Sequence, residues 1–457
     1  MRETGVALLS AREALRSRSA IVVGLVLVGG AAALWWGVSG DGSPAGRLRA
    51  FLAWGSDLSW LLLSLVAVFL STSLGRAVHD GRITPLCLAP IDRARVLLAW
   101  WSGVALVLLG LTALSMVTLQ LLSRASVALA DEPVRPRLES ILQARGVSRA
   151  PLPERDRVRE QVEERLAARV EREGLPEGMT FERAAEIELE RELVSRRTVR
   201  PGQELAWTYA GVEPAPGSKA VTLRFYYLVH DPEARLPAGK GPRGLIGLVP
   251  PGSPGYDLAG AWVGAGGTRV KRHEVRFPIE MLEGYSEVLI SYRLDPEAGP
   301  ITVEFPGRGP ELLFPHGRFE PNLVRAGLVL WGRLLFLCAL GVVASAVLDP
   351  KLAALVALFF LAVGSAHGFL FEALRPAYDA WGPTLGPPMR LFLKGVLHLI
   401  PDLGREDLAQ KLSDGERVDL QGVVQALFGD GLGRGGAFLL LGAWLFSRRE
   451  LGAVRGG

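Results

Sequence analysis

The chain has 457 residues, of which 49% are apolar, with a formal net charge of +4 and a mean hydropathy of +0.26. So small a net charge offers no bulk field to a nucleic-acid partner, and the two cysteines, Cys87 and Cys338, lie too far from the charged middle of the chain to form a disulfide there. The averages hide two populations: ends rich in Leu, Val, Ala and Gly, and a charged stretch from about residue 131 to 320.

In chain order, residues 1–19 carry Arg2, Arg12, Arg16 and Arg18. Within them, residues 6–18 interleave apolar and charged side chains. They read either as an amphipathic helix lying on the cytoplasmic interface or as the plain cytoplasmic end of a first span. The apolar run 20–38 is too long for a signal peptide and no A-x-A site follows it, so it reads as a retained span. Further apolar stretches occupy 58–74, 96–122, 324–348, 352–371 and 436–446. A bilayer core about 30 Å thick requires about 20 such residues per helix, and the last stretch reaches that length only by passing Asp430 and Arg434. These stretches predict a polytopic α-helical membrane protein of six transmembrane helices with an inserted extracytoplasmic α+β domain. Arginines at the N-terminus, at positions 76, 82, 93 and 95 and in the tail place those segments and both termini in the cytoplasm.

The expected organisation is a cytoplasmic interfacial helix (1–19), spans one to three (20–122) with a cytoplasmic loop at 75–95, and a helical extracytoplasmic segment (123–200). A β-sandwich-like domain (201–320), spans four and five (321–372), an outer loop (373–426) and a sixth span with its tail (427–457) complete it. Val158, Val162, Leu166 and Val170 form a narrow stripe on one predicted helix, residues 174–178 break it, and a second helix follows over 180–195. From 205 to 314 the period changes to two. Residues 221–228, 268–277, 287–293 and 301–305 read as strands between Gly/Pro-rich turns, with Trp207, Trp262, Phe225, Tyr227 and Tyr292 as core aromatics.

Catalytic motifs are missing: there is no G-x-x-x-x-G-K-[ST], H-E-x-x-H, C-x-x-C or G-x-S-x-G, and the six histidines show no metal-like spacing. Charges within apolar spans are functional candidates. Arg333 lies well inside its run and should face a partner helix or a cavity. His367 and Glu372, at the end of the fifth span, read first as interfacial and second as intramembrane.

The loop sequence 81–103 contains Pro90, Ile91, Asp92 and Arg93 before an apolar run with Gly103. It resembles the segment between the second and third spans of ABC-2 type transporter permeases, with Asp92 for the usual Ser and Ala99-Trp100 for the usual Gly-Lys. The ending Leu445–Leu451, with Arg448-Arg449-Glu450, is similar to the family's C-terminus. Pro401-Asp402-Leu403 and Asp407-Leu408 are similar to the permease branch linked to multi-copper enzyme maturation, and Ala11–Arg18 fits the family's interfacial elbow helix. The resemblance covers the two apolar regions, not the middle domain. It implies a permease subunit that is not itself an enzyme and holds no cofactor. ATP would be bound by a separate ABC ATPase, a second permease copy or a homologue would complete the transporter, and the lipid bilayer would surround it. Arg82, Pro90, Ile91, Asp92, Arg93 and Arg95 would form the coupling loop, whose bland reading is an ordinary positive-inside loop. The alternative function is a non-transport sensor, adhesion or assembly protein acting through the β-domain.

Overall fold

The computed structural model describes residues 11–12, 18–79, 92–151, 155–175, 179–210, 212, 220–230, 243–249, 261–263, 271–282, 287–297, 301–306, 309–370, 373, 388, 391, 395, 398–404 and 408–448. The chain divides into two compact units, one of Met1–Gln143 with Arg318–Gly457 and one of Ala144–Gly317.

The first unit is helical. Its long helices are α1 (Arg18–Gly37), α2 (Pro44–Ser71) and α4 (Arg93–Ala128), with the short α3 (Ser73–His79) and α5 (Arg135–Ile141) after α2 and α4. After the inserted unit come α8 (Phe319–Val347) and α9 (Pro350–Ser365), then α10 (Leu408–Ser413) and α11 (Leu420–Val424). A π-helix (Gln425–Arg434) and α12 (Gly435–Arg448) follow α11 without a break. Among the described residues, four helical stretches are long and apolar enough to cross a membrane: Ala20–Gly37, Pro44–Val78, Ala94–Ala128 and Phe319–Val347.

Several boundaries differ from the sequence expectation, each for a local reason. The second span was expected at 58–74, but α2 starts at Pro44. The Ser43 hydroxyl accepts from Gly46 N, proline at N1 needs no N–H donor, and Asp41 accepts both the Ser43 N–H and hydroxyl, at 2.9 and 2.6 Å. Those bonds from Ser43 hold the Asp41 carboxyl below its ordinary range. Near the fifth expected span, Asp349 caps α9 by accepting from Lys351 N, and the 16-residue helix is shorter than the 352–371 expected. The last helix is longer than 436–446 because the π-helix carries it back through Asp430 and Arg434.

α8 is the axis of this unit. It packs against α2, α4, α9, α12 and the π-helix, and 89% of its most apolar window is buried, against 17% for α1. Buried indole N–H groups must find acceptors, and two do so reciprocally: Trp101 on α4 donates to Leu335 O on α8 at 3.1 Å, and Trp331 on α8 donates to Ala105 O on α4 at 3.0 Å. Asn322 clamps the segment before α11, donating to Glu416 O at 2.8 Å and accepting from Val418 N at 2.7 Å.

In the second unit a helical hairpin, α6 (Arg155–Glu173) and α7 (Phe181–Ser195), follows the first strand. Val158 and Val162 meet Leu189, and Leu166 meets Ala184 and Ala185, along the stripe read from the sequence. Gly174, at φ +74°, ends α6 in the left-handed conformation that glycine adopts without a Cβ clash. Among the described residues, ten strands follow the order β1 (Gln143–Arg149), β2 (Thr198–Val199), β3 (Glu204–Ala210), β4 (Ala220–His230), β5 (Arg243–Val249), β6 (Ala261–Val263), β7 (Lys271–Pro278), β8 (Glu287–Leu294), β9 (Thr302–Glu304) and β10 (Glu311–Arg318). One sheet runs β1-β10-β4-β9-β2, with β7 also on β4, and the other runs β3-β8-β5-β6. Val221, Leu223, Phe225 and Tyr227 of β4 share one core with Tyr209, Ile246, Ile290 and Tyr292 of the other sheet. The period-two pattern of β4 is what places them there. Trp207 packs on that core edge-on to Phe305. The Trp262 side chain lies outside the described residues.

Opposite the core, Arg224 on β4 stands directly across from Glu311 on β10. Arg224 is 2% exposed, and its Nε and a terminal nitrogen donate to Glu311 Oε2 at 2.7 and 2.5 Å. Arg149 on β1 donates to Oε1 at 2.7 Å. Burial pushes the Glu311 carboxyl up, but the Arg224 charge and the Arg149 hydrogen bond outweigh it and hold the group below its ordinary value. On the core side, burial raises the Tyr209 phenol, whose hydroxyl donates to Pro310 O, and pushes Tyr227 up to about 12.

Candidate functional site: a charged cavity within the helical unit

Arg333 occupies the middle of α8, about 20 Å along the helix from either end. Asp57 occupies the equivalent place in α2, also about 20 Å from either end. Both side chains line one cavity of about 270 Å³. Trp60 and Ser56 on α2, Met116 on α4 and Leu412 on α10 contribute to the same lining. The Arg333 side chain is buried, and its guanidinium lies 5.9 Å from the centroid of the Trp60 ring. That is a cation–π distance, in a setting where water competes weakly for the charge.

The neighbouring face of α8 is built differently. A Cβ at Gly332 would stand 2.6 Å from the carbonyl carbon and oxygen of Ala426 in the π-helix, so only glycine permits this approach. Successive residues of a helix point about 100° apart. Gly332 therefore receives the π-helix while Arg333 turns to the cavity. The π-helix brings its own charge pair, Arg434 to Asp430 Oδ1 at 2.8 Å, with Asp430 buried. π-helical turns are costly for the backbone and recur at functional sites.

The residues singled out from the sequence fall in three places. Arg333 lies on the cavity, as its position inside an apolar run implied. His367 lies beside the lining rather than in it: Nδ1 is 3.7 Å from Asp402 Oδ2, and the adjoining Ser365, Leu403 and Gly404 belong to the cavity wall. Asp92 is the N-cap of α4, its carboxylate accepting from Ala94 N at 3.1 Å, with Arg95 exposed on the first turn. Arg93 is the first residue of α4, and its side chain is outside the described residues, as are Arg82, Pro90, Ile91 and Glu372. Asp57 was not among the residues singled out. The signal that would have found it was the Ser43-Pro44 helix start, which turns a carboxylate at the edge of an apolar window into one at the centre of a helix.

Chemically, the cavity offers a guanidinium and a carboxylate, with the hydroxyl-bearing Ser56 and Ser365, in a wall whose other members include Trp60, Met116, Leu330 and Leu412. No protein-family model, curated protein or solved structure matches the chain.

Proposed function

We propose that the chain is the membrane-spanning permease subunit of an ATP-driven transporter of ABC-2 type. It would sit in the cytoplasmic membrane with both termini cytoplasmic, paired with a second permease copy or homologue and powered by a separate ATPase. The observation that supports this reading best is the presence of both Asp57 and Arg333 in the lining of one cavity, each at mid-length of a helix long enough to cross a bilayer. A charge at that depth costs several kcal/mol and is retained where it faces a partner, a substrate or an ion path. In this arrangement the α9 region and the continuous run from Leu420 to Arg448 supply the fifth and sixth crossings. α4 would carry the mechanical coupling: it starts at the Asp92 cap beside the loop that resembles the family's docking segment, and Met116 on the same helix lines the cavity. Nucleotide-driven force at Asp92 and Arg95 would then reach the cavity through one uninterrupted helix and bias two packings of the bundle.

The test is a mild-detergent pull-down of the tagged chain. The parent is expected to recover an ATPase bearing a Walker A motif, and the Arg93→Glu, Arg95→Glu variant to lose it while keeping its thermal unfolding profile. Arg333→Met is expected to retain the ATPase and to lower transport at least about tenfold. Absence of any ATPase from the intact parent sinks the reading and moves attention to the sheet-rich unit.

A further inference from the structure

A second cavity, of about 570 Å³, opens where the C-terminal ends of α1 and α4 meet the first turn of α2. Trp35, Trp36, Arg47, Ser126, Leu129 and Asp131 line it. The Trp35 indole N–H donates to Ser126 Oγ at 2.7 Å, which fixes that ring on α4, and the Trp36 ring stands 6.5 Å away at 59°. Trp36 is 84% exposed and Leu129 75%. Arg47 and Asp131 make no ion pair among the described residues. The cavity thus holds one cation, one anion and an unshielded aromatic face, at the end of helices whose flanks are apolar and bare: Ile21 and Leu25 on α1 are 57% and 69% exposed.

We propose that this cavity binds the headgroup of a zwitterionic phospholipid, its phosphodiester on Arg47 and its ammonium on Asp131 and the face of Trp36. Three properties select this occupant. The charges in the wall balance, which suits a headgroup with both signs better than a purely anionic one. A guanidinium is the side chain whose geometry matches phosphate oxygens, and an exposed indole attracts an ammonium through its π face. The apolar flank of α1 continues from the cavity along the helix, and the acyl chains of the same molecule would cover it. Tryptophan at a helix end is also the residue expected at a membrane–water boundary. The proposal rests on the membrane placement argued above and not on the ATPase partner, so either can fail without the other.

The experiment is native mass spectrometry of the full chain after exchange into mixed micelles holding equal amounts of ethanolamine and glycerol phospholipids. The parent is expected to retain the ethanolamine lipid in preference. Arg47→Ala is expected to bind it about tenfold more weakly, the loss of one charge-assisted hydrogen-bond set. Asp131→Asn is expected to keep a lipid but bind both headgroups equally. Equal occupancy in the parent and Arg47→Ala overturns the proposal, as does an absence of headgroup preference in the parent. Displacement of the lipid by free phosphoethanolamine at the same concentration overturns the choice of a lipid over a soluble ligand. Both substituted side chains lie on the surface, and an unchanged unfolding temperature confirms that each variant is folded.

Discussion

Glu311 answers two guanidiniums with one carboxylate, and one of them, Arg224, lies inside the sheet-rich unit rather than on its surface. Arg224 is almost wholly buried, so removing the Glu311 carboxylate takes two charge-assisted hydrogen bonds from a guanidinium that water barely reaches. Glu311→Gln is expected to destabilise the unit by about 2 kcal/mol, the scale of hydrogen bonds to a charged group, read as a lowered urea midpoint. The pH dependence follows from the direction of the shift. The folded carboxyl lies below its ordinary value of 4.5, so the unfolded state binds the proton more readily. The stabilising contribution is complete above that value and is lost as the pH falls through the folded pKa. Stability of the parent should therefore decline on acidification below about pH 4.5, and the Gln variant should show a shallower decline. Parallel pH profiles in the two proteins would refute the assignment. This pairing could not be read from the sequence, since Arg224 and Glu311 are joined only by strand register. Arg333 could be, because an arginine inside an apolar run has few places to go, whereas Asp57 was obscured by setting the edge of the span at Leu58.

At the level of elements, the contact between α8 and the π-helix depends on Gly332. Its missing side chain lets two backbones meet, and a neighbouring backbone cannot rotate aside as a side chain would. Gly332→Ala is expected to cost about 2–3 kcal/mol, seen as a lower unfolding temperature in detergent and looser packing of the last helix. Gly436 on α12 is the internal control, since a Cβ there meets nothing within 4 Å. Gly436→Ala should be neutral, or stabilising by up to about 1 kcal/mol through helix propensity. Equal effects at the two positions would show that backbone proximity at Gly332 is not limiting. The π-helix was half legible: the sixth apolar run was too short unless it passed Asp430 and Arg434, and the helix takes that route. Its π geometry left no trace in composition. β1 escaped notice for a different reason. Gln143–Arg149 falls in a stretch read as helical, and its strand character is fixed by β10, a partner far away in the chain. The hairpin of α6 and α7 was plain from its valine stripe, because its contacts are local.

For the whole molecule, the division into two units has a thermodynamic consequence. The core shared by the two sheets and the two small clusters of the hairpin draw all their residues from within Ala144–Gly317. A segment that buries its own apolar side chains and satisfies its own strands should fold without the rest of the chain. A fragment cut outside β1 and β10 is therefore expected to be soluble and to unfold cooperatively, with a stability of about 5–15 kcal/mol. Within it, stability should not be uniform. β4 is hydrogen-bonded on both edges and its inward side chains are fully buried, whereas the hairpin is held by a few valine, leucine and alanine contacts and by exposed ion pairs such as Arg159 with Glu186. Exposed pairs of that kind contribute little, about 0–1 kcal/mol each. Hydrogen exchange should then find α6 and α7 opening at much lower free energy than β4 and β8, as a separate cooperative unit. Uniform protection across hairpin and sheets would show that the two are coupled more tightly than their contacts indicate. A fragment with no cooperative transition would show that the sheets depend on the helical unit for more than covalent attachment.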